Sequence, residues 1–244
     1  MKFKSIKENY ETLLKDIKSY FYSSKSSIHK ARNEIKIIDF NDENLVVKSF
    51  KIPNIINKVI YTFFKSSKAE KSYENSIKIV NFVPKPIGYI EFKKLGLIDE
   101  SYFVSENFKY DFTIREPLVG KEFPKKDAVF KAFAEFTYKL HEEGIFHLDY
   151  SPGNILIKEE NGSYIFKIVD INRMEFKSLC LDERLGNFSK LWAKDEDLTI
   201  IIREYAKLTN SDTDSCVKIA LKQSQAHKDR KNAKKRLRGE AVVD

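Results

Sequence analysis

Five side chains in this sequence have the types and the order that phosphoryl transfer asks for. Asp149 and Asn154 stand with His147 in "HLDYSPGN", Asp170 closes "FKIVD", Lys48 sits in "NLVVKSF", and Glu74 in "KSYENS". Moving a phosphoryl group takes few protein parts: a cation on the ATP phosphates, carboxylate and amide oxygens on a metal ion, and an acceptor for the attacking hydroxyl's proton. Lys48 can supply the first, Asn154 and Asp170 can hold magnesium, and Asp149 can take the proton. Glu74 can pair with Lys48 and orient it. Glu70, one helical turn earlier on the same face, competes for that role.

These side chains need a scaffold, and the hydrophobic pattern supplies one. "SYFYSS", "EIKIIDF" and "NLVVKSF" read as three strands of a small antiparallel meander, with Lys48 on the face opposite Val47. Residues 52–80 then carry apolar side chains at helical spacing with a polar break, which predicts two helices or one broken helix. "VPKPIGYIEF" leaves the helix at its prolines and returns to strand, and "SYFVSENF" adds another. "DAVFKAFAEFTYKLHEE", residues 127–143, is the clearest helix, with Asp127 as N-cap, Phe130, Phe133, Ala134 and Tyr138 on its apolar face, and Gly144 as its stop. "NILIKEENGSYIFKIVDI" reads as a hairpin turning at Asn161 and Gly162. Helices over 181–209 and 214–238 complete a two-lobed layout that puts the "HLDYSPGN" row near the crevice.

Composition bounds the class. The chain has 244 residues, 42% hydrophobic and 33% charged, with 8 Gly and 6 Pro, so it can bury a good-sized core and is not a disordered polymer. Cys180 and Cys216 have no zinc-ligand spacing and read as buried free thiols of a reducing compartment. The opening "MKFKSIKENYETLLKDIK" lacks the apolar core of a signal peptide, and the expected location is cytoplasmic. A net charge of +8 favours an anionic partner. Much of it lies in "LKQSQAHKDRKNAKKRLRG", either a solvated helix end or a contact for an anionic membrane surface. Nucleic acid is not expected, because no aromatic-basic interleaving accompanies those charges.

The row His147, Asp149 and Asn154 matches the catalytic-loop spacing of the protein-kinase superfamily, and "LHEEGIF" before it resembles that fold's helix and turn. More narrowly, "VVKSFKIPNIIN", "SKAEKSYENSIKI", "PKPIGYIE", "HLDYSPGNILI" and "IVDINR" together resemble the lipopolysaccharide core kinases, over residues 20 to 210. The resemblance implies an α+β, two-lobed protein-kinase-like fold with an antiparallel-sheet N-lobe (residues 1–108) and a mainly helical C-lobe (residues 109–244). It also implies ATP and Mg2+ as cofactors. The acceptor would be a lipid-linked glycolipid of the inner core, with Kdo preferred to heptose, met at the cytoplasmic face of the inner membrane. By position, Lys48 is the phosphate-binding lysine, Glu74 its partner, Asp149 the base, and Asn154 and Asp170 the metal ligands.

The sequence also departs from the kinase pattern. Leu148 stands where protein kinases usually place Arg, "INR" follows Asp170, no "APE" appears, and only 74 residues follow Asp170. A small-molecule or glycolipid acceptor is therefore favoured over a regulated protein kinase. An atypical Ser/Thr protein kinase and a non-catalytic pseudokinase module remain the alternatives. No glycine precedes Gly88, so the turn in "SSKSSIHKARNE" must meet the phosphates instead, through Ser26, Ser27, Lys30 and Arg32. His147 reads as a structural brace. Arg173 reads as an acceptor contact or a salt bridge. The Ile/Phe stripe of residues 52–63 reads as core before it reads as a lipid contact.

Overall fold

The computed structural model describes residues 1–30, 33–120 and 122–242. They form two compact units, one of Met1–Lys109 with Asp170–Asn172, the other of Tyr110–Val169 with Arg173–Asp244.

The first unit is a six-stranded antiparallel sheet with helices. In chain order it holds β1 (Lys2–Ser5), α1 (Glu11–Lys15), α2 (Ile17–Ser23), β2 (Ser27–Lys30), β3 (Glu34–Phe40), β4 (Glu43–Phe50), α3 (Ile55–Phe63), α4 (Lys68–Lys78), β5 (Pro86–Lys94) and β6 (Leu97–Glu106). The strands lie in the order β1-β5-β6-β4-β3-β2. The β3–β4 hairpin turns at Asn41 and Asp42, both at positive φ, a conformation their short polar side chains tolerate. Its register sets Ile35 opposite Lys48, while β6 sets Phe103 against Lys48 from the other side.

Alternation then decides the faces. Val47 and Leu45 point into a core built with Leu13, Leu14, Ile17 and Phe21 of the two N-terminal helices. The stretch "SYFYSS" is helical here, not the first strand of a meander. Ile17 and Phe21, one turn apart, continue the Leu13–Leu14 face, and burying each contributes on the order of 2 kcal/mol, more than the strand preference of Tyr and Phe. Lys48 takes the other face. There Ala69 and Tyr73 of α4 pack on Phe50 and Tyr89. Ser67 caps α4 by accepting from the Glu70 amide at 3.1 Å, and Asn54 caps α3 by accepting from the Asn57 amide at 2.9 Å.

The second unit is mainly helical. It holds β7 (Phe112–Thr113), α5 (Arg115–Val119), α6 (Lys126–Glu142), β8 (Ile145–His147), β9 (Ile155–Glu160), β10 (Ser163–Ile168), β11 (Met174–Phe176), α7 (Leu181–Asn187), α8 (Asp195–Leu208) and α9 (Thr213–Arg236). α6 buries Phe130, Phe133 and Ala134, and α8 answers with Leu198, Ile201, Ile202 and Tyr205. Lys125 in the left-handed region precedes α6, so Asp127 lies within its first turn, not at the cap, and there its charge still complements the helix dipole. Gly144 ends the helix at φ +67°. A Cβ on it would lie 2.7 Å from the Lys177 carbonyl oxygen, so the turn into β8 admits only glycine without a shift of backbone. The β9–β10 hairpin turns at Asn161 and Gly162, both at positive φ. Cys216 is buried on α9, whereas Cys180 is exposed ahead of α7, where its sulfur caps the helix in place of filling a core. The indole of Trp192 meets the His227 ring edge-on at 6.1 Å. Among the described residues no helix is long and apolar enough to cross a membrane.

Candidate active site

The loop from His147 to Asn154 is held by its own polar atoms and by partners on neighbouring elements. The Asp149 amide donates to His147 Nδ1 at 3.0 Å, which leaves Nε2 as the donor to the Val169 carbonyl at 3.0 Å. His147 is thus a neutral, buried strut between the loop and the end of β10, as the sequence reading had it. Asn154 Nδ2 donates to the Asp149 carbonyl at 2.9 Å, and the Asn154 carbonyl accepts from the Val169 amide at 2.9 Å. The Ser151 amide donates to the Asp149 carbonyl as well, at 2.8 Å. The Asp149 backbone is fixed from three sides. Its half-exposed carboxylate makes no hydrogen bond or ion pair among the described residues.

Beneath the loop lies a relay that the sequence did not announce. Tyr205 donates to His141 Nδ1 at 2.8 Å, His141 Nε2 donates to Asn187 Oδ1 at 3.2 Å, and Asn187 Nδ2 donates to the His147 carbonyl at 3.0 Å. All four residues are buried. Burial holds His141 neutral and pushes its pKa down to about 4, and it pushes the Tyr205 phenol up. A second anchor joins the hydroxyls of Tyr150 and Thr137 at 2.8 Å, with the Tyr150 ring stacked on Phe133. The only sequence signal for this support was Tyr150 beside Asp149. His141 and Asn187 are 46 residues apart, and no local spacing links them.

In the first unit, Lys48 Nζ donates to Asp170 Oδ1 at 2.8 Å, and Asn172 Nδ2 donates to the same oxygen at 2.7 Å. Asp170 adopts φ +57°, a left-handed conformation uncommon for a residue with a side chain. Asn75 Nδ2 of α4 donates to the carbonyl of Ile171 at 2.6 Å and so holds the segment from the helix side. Glu74, expected to orient Lys48, does not meet it. It is exposed and forms no ion pair among the described residues. Glu70 is buried and already committed, to Lys2 and to the Tyr89 hydroxyl at 2.9 Å, and these partners lower its pKa against the opposing effect of burial. Asp170 therefore replaces glutamate as the partner of Lys48. The helix residue that reaches this segment is Asn75, next to Glu74 in sequence and about 100° around the helix from it.

The phosphate-side turn closes on itself. The Ser26 amide donates to Ser24 Oγ at 3.2 Å and the Ser27 amide to the Lys25 carbonyl at 3.1 Å, so neither is free for an anion, while both side chains are exposed. Lys30 stands at the end of β2, and Arg32 lies outside the described residues.

A cationic group gathers on the second unit. Lys190, half-buried in the turn after α7, has its pKa lowered by burial first and then by Arg230 and Lys231 of α9, while Asp149 opposes the shift and Arg173 adds to it. None of these four cations forms an ion pair among the described residues. Arg230 Nη2 lies 3.3 Å from His227 Nδ1, which places the start of the basic tail on this cluster.

With Nδ2 of Asn154 committed to the loop, its Oδ1 has no protein hydrogen bond among the described residues, and neither has Asp170 Oδ2. Hard amide and carboxylate oxygens of this kind are the donors that magnesium takes. Among the described residues no cluster of three or more His, Cys, Asp or Glu offers a different metal site.

Sheet unit, helical unit and loop together make this a protein-kinase-like fold, as expected. A solved structure of WaaP in complex with acyl carrier protein matches it with a TM-score of 0.60 and 11% sequence identity, over 93% of this chain and 99% of that one. The likeness to that structure is one of fold. No protein-family model matches the chain, and no curated protein does.

Proposed function

We propose that the protein transfers the γ-phosphate of ATP to a sugar hydroxyl of the lipopolysaccharide inner core, Kdo before heptose, as a peripheral protein at the cytoplasmic face of the inner membrane. The observation that carries this is the Asp149 carboxylate, unpartnered on a loop whose backbone is fixed by His147 and Asn154. A carboxylate held still and outside any ion pair is what an acceptor hydroxyl needs in order to hand over its proton. Asn154 and Asp170 would hold magnesium, which would neutralise charge on the phosphates. Lys48 would exchange its bond to Asp170 for a phosphate oxygen and so position the nucleotide.

The cations Lys190, Arg173, Arg230 and Lys231 favour Kdo over heptose. Lys190 lies within electrostatic reach of Asp149 and of the other three, and Kdo carries a carboxylate that such cations can neutralise. The test is mass spectrometry of Kdo-bearing lipid A after incubation with the protein, ATP and magnesium. A phosphate on the Kdo portion, lost by about a thousandfold in Asp149→Asn with folding unchanged, is the expected result. Full turnover by that variant would refute the mechanism.

A second reading, a nucleotide-binding module without turnover, is favoured by the turn at Ser26 and Ser27, whose amides are already spent. It predicts magnesium-dependent ATP binding with no phosphorylated acceptor.

A further inference from the structure

The helix α3 sits on its sheet the wrong way round. Its inward face is polar: Lys58 pairs with Asp99 of β6, and Thr62 Oγ1 accepts from the Ile98 amide at 2.9 Å. Asn54, Asn57 and Tyr61 also line a hollow whose other walls are both polar, as at Ser67 and Ser101, and apolar, as at Phe50 and Ile98. Its outward face is apolar. Ile55, Ile56 and Phe63 expose 66%, 68% and 68% of their surface, and Phe64, which follows the helix, exposes 78%. Ile52 and Val59 widen the patch. An amphipathic helix in a globular unit normally turns this stripe inward, so a contiguous exposed one marks a surface built for a partner.

The charges around the patch select that partner. Residues 45–69 contain five lysines and no Asp or Glu. Lys51 ahead of the helix and Lys65 behind it are exposed and form no ion pair among the described residues. An apolar stripe of Ile and Phe with cationic ends, and with neighbouring Asp99 already neutralised by Lys58, fits the headgroup region of an anionic bilayer, where the stripe enters the acyl boundary and the lysines meet lipid phosphates. We infer that α3, with Phe64, Lys51 and Lys65, is an interfacial helix that seats the protein on an anionic lipid surface. The inference gives the proposed peripheral location a physical basis but stands on the first unit's geometry alone.

Vesicle flotation of the full chain tests it, with phosphatidylcholine vesicles and with vesicles containing phosphatidylglycerol in addition. Wild type should float with the anionic vesicles and release as salt is raised. The double substitution Phe63→Ser, Phe64→Ser should weaken binding by about tenfold or more while thermal unfolding stays unchanged, since both rings are already in water. Lys51→Glu with Lys65→Glu should abolish the preference for anionic vesicles. Asp149→Asn should float as wild type does, whether or not wild type transfers phosphate, so loss of the kinase reading and loss of this one are separable. Three results would overturn the inference: wild type that floats with neither vesicle, anionic binding untouched by the Phe substitutions, or a concentration-dependent dimer dissolved by those substitutions without vesicle binding. The last would assign the face to a second copy of the chain.

Discussion

The loop around Asp149 and the pair formed by Lys48 and Asp170 present chemically active groups by opposite means. In the loop, buried polar atoms fix the backbone and the functional carboxylate is left without a partner. In the pair, the functional side chains hold each other, and only Asn75 and Asn172 add support. The first arrangement is set before any ligand arrives. The second is a charge pair that a ligand can replace, because a phosphate offers Lys48 what Asp170 offers and a metal ion offers Asp170 what Lys48 offers. Disturbing the support should therefore cost stability around the loop and little around the pair.

The largest effect is expected at Gly144. Ala there must adopt positive φ and meet the Lys177 carbonyl, so Gly144→Ala should destabilise by about 3 kcal/mol in urea unfolding. A change near zero would mean that the turn relaxes freely and that the loop is less fixed than its hydrogen bonds indicate.

His141 gives a pH signature of similar size. Its folded pKa is about 4 against 6.5 in the unfolded chain, so below pH 6.5 the unfolded state takes up a proton that the folded state refuses. Stability from this group is full above pH 6.5 and declines until the pH reaches its folded value. Between pH 7.5 and 4.5 this group's share of the loss should be about 2.5 kcal/mol, and a His141→Gln variant should lose less by that amount, the remaining loss including that of His227, whose pKa is also lowered to about 4. Asn187→Ala removes the donor to the His147 carbonyl and strands His141 Nε2, for about 2 kcal/mol and a lower turnover. Should it lose stability but keep its turnover, the relay supports folding without setting the loop.

The smallest stability effect belongs to the pair. Lys48→Met should shift unfolding by less than about 1 kcal/mol, since Asp170 is a third exposed and can turn to water. Its affinity for magnesium–ATP, measured by calorimetry, should fall at least about tenfold. A large stability loss with unchanged nucleotide binding would reverse the contrast between the two regions.

The part of the site most legible in the sequence was the part whose chemistry is local. His147, Asp149 and Asn154 lie within eight positions, and their spacing marks the loop and His147 as its brace, whereas the bond from Asn154 to the Asp149 carbonyl is visible only in the structure. Lys48 was legible as a strand residue, whereas Asp170, expected at a strand's end, lies two residues beyond β10 at positive φ, and their pairing spans 122 positions and left no local trace. The choice among Glu70, Glu74 and Asn75 depended on which side of α4 the sheet occupies, and Tyr73 and Ala69 decide that by packing on Phe50 and Tyr89. The same limit hid the inversion of α3. Periodicity shows that a helix has an apolar stripe, whereas Lys58 and Thr62 meeting β6 determine which side faces the sheet. At "SYFYSS" the aromatic content pointed to a strand, and the deciding evidence lay upstream in Leu13 and Leu14, outside the window that was read.

Trp192, the one tryptophan of the chain, lies in the helical unit against His227. Indole emission is thus an optical channel tuned to one half of the molecule, while far-ultraviolet dichroism records both. If emission and dichroism trace the same denaturation curve, the halves melt as one cooperative body. If the curves separate, the sheet unit has its own melting point, and any ligand that draws the two curves together can be recognised as one that fastens the halves to each other.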